Sequence, residues 1–279
     1  MFTTITVIET RHTSTVDREL AAAAFGDRPD SWPLPTATSP QQLWLRAVAA
    51  GGQGRYSNAY RDLAEVRRTG PAGRLVSLAH STQASFLRQL GWHTLARGWD
   101  GRALALAGTD PEARSDALIG LAADALGVGR FAAATTLLAR ADSVTVPGPT
   151  APDRLPVRRR WVAAELAMAT GDGASAVRHA EEAVELAKAM AVPSARHQVK
   201  SQVVLAAALC SAGDTERSRA VGEAALQAAG RLRLLPLRWA AACLLIDIGS
   251  VSFTAQKLHE IRDICAGQVR RAGGAWRSA

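Results

Sequence analysis

The sequence predicts an all-α chain, most of it a solenoid of about six helix-turn-helix pairs. Three observations carry this. Alanine dominates and aromatic residues make up only 5%, whereas strands draw on β-branched and aromatic side chains. From about residue 40, helical patterns are punctuated by glycines spaced 37, 38, 42, 42 and 36 residues apart. Small side chains recur at fixed offsets from those glycines, as the contacts of closely packed helices require.

The elements follow in order. In residues 1–39, "TTITVIET" has strand-like β-branched content, "DRELAAAAF" suits a short helix and "GDRPDSWPLPTATSP" is a linker. The turn glycines of the pairs are Gly54, Gly91, Gly129, Gly171, Gly213 and Gly249. Seven residues before each stands Ala47, Ala84, Ala122, Ala164, Ala206 or Ala242. Five after come Ala59, Ala96, Ala134, Ala176, Ser218 and Thr254, and twelve after come Val66, Ala103, Ala141, Ala183, Ala225 and Ile261. The glycine ends one helix in a left-handed C-cap, which costs least without a Cβ. The small residues before and after it then face each other across an antiparallel pair. Asp110 is placed to cap a helix that opens with Pro111 and Glu112. The last helix carries an apolar stripe of Leu258, Ile261, Cys265 and Val269, with Lys257, Glu260, Arg262 and Asp263 mostly outside it. That polar outer face suits a terminal cap. The expected divisions are an extension over 1–39, the helical array over 40–270 and a flexible tail over 271–279.

The pattern resembles the tetratricopeptide repeat family, in which a helix A, a glycine turn and a helix B recur every 34 residues. The resemblance covers about residues 40–266. It implies a right-handed α-solenoid that acts without catalysis, as an adaptor, scaffold or regulator capturing a peptide or helix in the groove lined by its A helices. The chain departs from the family in its longer spacing, and the aromatic two residues after the glycine survives only as Tyr56 and Phe131.

Other chemistries find little support. Gly127-Val128-Gly129-Arg130-Phe131-Ala132 fits a dinucleotide glycine pattern, but it follows the helical "ALIGLAADAL" rather than a strand. "GDGASA" at 171–176 repeats the match at the same turn register, so the turn explains both. No nucleophile elbow or zinc spacing is present, and no cofactor or metal is expected. Cys210, Cys243 and Cys265 are far apart and suit buried thiols. His93 and His179 fall near turns or on B helices, where surface placement is expected. The N-terminus lacks a secretory pattern and no apolar run is long enough to span a bilayer, so a cytoplasmic location is expected.

Binding is the expected role, with another protein as partner. Trp44, Trp161 and Trp239 each lie ten residues before a turn glycine, at a groove-lining position in the family. Arg158 and Lys200 lie thirteen before, Arg160 and Arg238 eleven before, and Arg88 three before. Together they suggest an aromatic groove with basic flanks, suited to an acidic segment. Two bland alternatives stand beside this: tryptophans filling space between pairs, and the run Arg158-Arg159-Arg160 as a solvated face. The formal charge of +8 leaves association with RNA or the ribosome as an alternative, and a small-ligand or peptide sensor as another. Residues 1–39 are expected to fold back into the groove or onto the first pair.

Overall fold

A computed structural model of the protein describes residues 14–144 and 153–277. The strand-like stretch near the N-terminus lies outside the described residues. Thirteen helices are present among the described residues. A single helix α1 (Thr15–Phe25) is followed by the pairs α2 (Pro40–Gly52) and α3 (Tyr56–Arg68), α4 (Arg74–Gln89) and α5 (His93–Leu106), and α6 (Pro111–Gly127) and α7 (Phe131–Asp142). Then come α8 (Arg154–Ala169) and α9 (Gly173–Lys188), α10 (Ala195–Ser211) and α11 (Thr215–Arg231), and α12 (Leu235–Ile248) and α13 (Ala255–Arg271).

The glycine register sets the pairs. All six turn glycines have positive φ, from 75° to 88°. In five turns the following N–H reaches the carbonyl five residues back, as in Arg130 to Ala125 at 2.8 Å and Asp214 to Leu209 at 2.9 Å. The glycine N–H donates to the carbonyl three back, as in Gly129 to Leu126 at 2.9 Å. This paired closure satisfies carbonyls that the helix end leaves open. The alanines seven before the glycines are all buried, as are Ala59, Ala96, Ala134, Ala176 and Ser218 five after them. Thr254 departs from the rule: it is exposed and caps α13, accepting from Lys257 N. Here the B helix begins six residues after its glycine rather than two, so the contact register slips. Glu223 holds the intervening loop instead, accepting from Val251 N at 2.6 Å, Ser252 N at 3.1 Å and two serine hydroxyls.

Consecutive helices pack against one another, and each A helix also touches the next A helix. No two successive B helices make comparable contact among the described residues. The A helices therefore form the closer, inner layer and the B helices fan outside it, as in a curved helical repeat array.

Two terminal segments complete the inner layer. Helix α1, opened by a capping box at Ser14 and Asp17, packs on α2, and its end is joined to α10 by Ala195 N donating to Gly26 O at 3.1 Å. The α13 stripe is buried as expected, but its last member, Val269, belongs to the core of the first pair. Beyond it, Ala272 O accepts from Ser57 N at 2.8 Å, Arg277 N donates to Leu90 O at 2.9 Å and Trp92 Nε1 donates to Ala275 O at 2.6 Å. The tail up to Arg277 thus docks on the turns of the first two pairs, rather than hanging free as expected.

Candidate functional site

The inner layer borders a cavity of about 330 Å³ lined by residues from all six A helices, from the start of α5 and from the end of α1. Five of the eight residues singled out in the sequence line it: Arg88, Arg158, Trp161, Lys200 and Trp239. Phe25, Ile119 and Val162 supply apolar wall, and Arg154, Arg196 and His197 supply polar wall.

The other three are placed elsewhere. Trp44 is only 3% exposed, held in the first core with its Nε1 donating to Thr82 Oγ1 at 3.0 Å and Phe25 at 5.4 Å. It is excluded from the groove because α1 covers it. Arg160 pairs with Glu182 at 2.8 Å, toward α9. Arg238 lies against Gly230 of α11, outside the cavity. The three-arginine run therefore divides by helical rotation. Arg158 turns inward to Asp116, Arg159 forms a two-pronged pair with Asp142 and Arg160 meets Glu182.

Aromatic stacking shapes the wall. Trp161 stacks on His197 with ring centroids 5.4 Å apart and donates from Nε1 to Ser201 Oγ at 2.8 Å. Trp239 stacks on Trp276 of the tail. His197 is neutral: burial, reinforced by Arg196, Arg154 and Arg158, pushes its pKa well below the usual value. His197 Nδ1 and Ser194 Oγ share a hydrogen bond at 2.7 Å.

At one end Arg88 Nη1 reaches Asp100 Oδ2 at 2.8 Å and Asp124 Oδ1 at 2.5 Å. Burial lifts the Asp100 carboxyl to about 7, against the pull of Arg88 and with the push of Asp124, and burial raises Asp124 as well. Burial therefore works against ionisation of both carboxyls around this arginine.

At the other end stands a charge ladder. Arg74, Glu112, Arg154 and Arg196 each lie seventeen residues before a turn glycine and sit in the first turn of successive A helices, α4, α6, α8 and α10. Arg74 Nε bonds Glu112 at 2.6 Å, and Arg154 bonds Glu112 at 2.7 Å and Asp116 at 3.0 Å. Burial alone would raise Glu112, but the two arginines outweigh it and hold the carboxyl below its usual range. The next rung breaks the alternation. Arg196 follows Arg154 with no carboxylate partner among the described residues, its Nε buried without a hydrogen bond. Burial, with the repulsion of Arg154, brings its pKa down to about 10, and burial does the same to Arg158.

Sequence reasoning missed Arg154, Arg196 and Phe25. The signal for the two arginines was present in the first turn that α4, α6, α8 and α10 all carry upstream of the family's groove positions.

At "GVGRFA", Gly127 ends α6 and faces His93, and Gly129 makes the turn into α7. Cys243 and Cys265 are thiols whose pKa values burial raises, to about 11 for Cys243. No described helix is long and apolar enough to cross a membrane. In comparisons with known proteins, the chain matches no protein-family model and no curated protein is significantly similar to it.

Proposed function

We propose that the protein is a non-catalytic binding module: a right-handed, tetratricopeptide-like solenoid that receives an acidic segment of another protein at its inner face. The observation that carries this reading is the convergence of Arg88, Arg158, Trp161, Lys200 and Trp239 on one cavity. Arginine and tryptophan in a desolvated recess are the side chains that concentrate binding energy. The volume, about 330 Å³, sits at the lower end of the range of roughly 300–1,000 Å³ for ligand pockets. The cavity therefore suits the tip of a peptide rather than a whole helix. The same enclosure favours a second reading, a sensor for a small anionic molecule.

The test is binding of the intact protein to an array of acidic peptides, followed by tryptophan fluorescence and repeated with variants. Trp161→Ala and Lys200→Glu should each weaken binding at least tenfold, while Arg160→Glu, outside the cavity, should leave it unchanged. Equal damage from Arg160→Glu would remove the cavity from the account. RNA association through the basic surface predicts a different signature: affinity falling log-linearly and steeply between about 50 and 200 mM salt.

A further inference from the structure

The ladder leaves one guanidinium without a carboxylate. Five cations line the cavity: Arg88, Arg154, Arg158, Arg196 and Lys200. Arg88 is already met by Asp100 and Asp124. The acids that meet the other four are three: Glu112, Asp116 and Glu165, the last 3.2 Å from Lys200 Nζ. The unmatched cation is Arg196, with its buried Nε unbonded. A buried charge is retained at low cost only when it is paired.

We propose that the cavity is a site for a single carboxylate, taken by Arg196 beside Arg154 and Arg158, with the apolar body of the ligand against Phe25 and Trp161. The proposal rests on the inner cavity being the binding site, and it adds which chemical group enters and where. One guanidinium without a carboxylate partner calls for one carboxylate. A phosphate, at about −1.5 to −2, would overcompensate beside Asp116 and Glu165. A carboxylate matches the planar fork of a guanidinium. The body of the ligand meets ring faces: the guanidinium carbons of Arg154 and Arg196 lie 5.5 and 5.6 Å from the Phe25 ring. The neutral His197, its ring 6.2 Å from that of Phe25 and stacked on Trp161, continues the same wall. Charge and apolar surface are therefore adjacent, as a carboxylate on a short apolar stem requires. The first turn of α10 adds the positive end of its dipole to the same spot.

The experiment uses the full chain and phenylacetate as probe, with phenylacetamide as its uncharged counterpart and inorganic phosphate at matched ionic strength. Calorimetry should show saturable binding of phenylacetate, at least tenfold weaker binding of phenylacetamide and no saturable binding of phosphate. Arg196→Gln should lose phenylacetate affinity at least tenfold with an unchanged or raised melting temperature, because it removes an unpaired charge. Arg196→Lys should keep part of the affinity, and Arg160→Gln all of it. A peptide ending in phenylalanine, with a free or an amidated terminus, identifies the source. Tighter binding of the free-ended peptide than of phenylacetate assigns the carboxylate to a peptide, and the reverse order assigns it to a small organic acid. Equal binding of phenylacetate and phenylacetamide, saturable phosphate binding, full affinity in Arg196→Gln or no binding of any probe would each overturn the carboxylate site. Acidic peptides that still bind Arg196→Gln but not Trp161→Ala would leave the binding module standing without it.

Discussion

Trp239 of α12 and Trp276 of the C-terminal tail stack with ring centroids 4.2 Å apart and planes inclined by 30°. Trp239 also lines the inner cavity, so this contact ties the last pair, the tail and the site together. Trp276→Ala should lower stability by about 2 kcal/mol, since both rings are half-buried and aromatic pairs add to area burial. Chemical denaturation measures this, and hydrogen exchange should show earlier opening of the turns at Leu90 and Ser57.

Asp100 and Asp124 give the fold a pH dependence of definite sign. A carboxyl raised to about 7 in the folded chain keeps its proton while the unfolded chain releases its own near pH 4. Stability contributed by that proton falls as pH rises from about 4 to about 7. The buried histidines, whose pKa values burial lowers, act in the opposite sense up to their unfolded value near 6.5. The comparison is therefore with Asp100→Asn, which leaves Arg88 one carboxylate. The variant should be more stable than the parent at pH 8, with the advantage shrinking toward pH 5. An advantage independent of pH would exclude a raised Asp100 carboxyl.

The turn glycines can be tested free of packing. An added Cβ on Gly129 would meet nothing within 4 Å, so Gly129→Ala reports the cost of φ +75° alone. It should lose about 1–2 kcal/mol, and Gly129→Asn less. Gly120→Ala should cost more than either, because its Cβ would overlap the Asp100 carboxylate.

Phe25 makes the N-terminal helix part of the site. Its ring lies 5.4 Å from Trp44 and 6.2 Å from His197, bridging α2 and α10. Phe25→Ala should cost about 2 kcal/mol, less than a fully buried Phe, and should weaken phenylacetate binding. Deletion of the residues before Ser39 that alters neither stability nor binding would separate α1 from the site.

What the sequence made legible was local and periodic. The positive-φ glycines, the buried alanines on either side of them, the Asp110 cap and the α13 stripe all follow from spacing along one or two helices. What it hid depends on segments distant in sequence. Trp44 and Trp161 share a register, yet α1 covers one and leaves the other on the cavity. Arg158, Arg159 and Arg160 are adjacent in the chain but point to Asp116, Asp142 and Glu182 on three different helices. Thr254 shows the limit of the period itself, since a longer loop turned a contact position into a cap. Arg154 and Arg196 stood in plain sight one turn beyond the family's unit, where comparison with a 34-residue repeat does not look.

An open array of repeats can gain or lose a unit with little penalty, because each unit touches only its neighbours. Here the bonds from Ala272 to Ser57 and from Arg277 to Leu90 join the two ends of the array. Its number of pairs is thus subject to a closure condition: duplication or loss of one pair would carry the tail away from the turns it clasps. Length variation, the usual evolutionary freedom of such proteins, is the change this chain is least able to absorb.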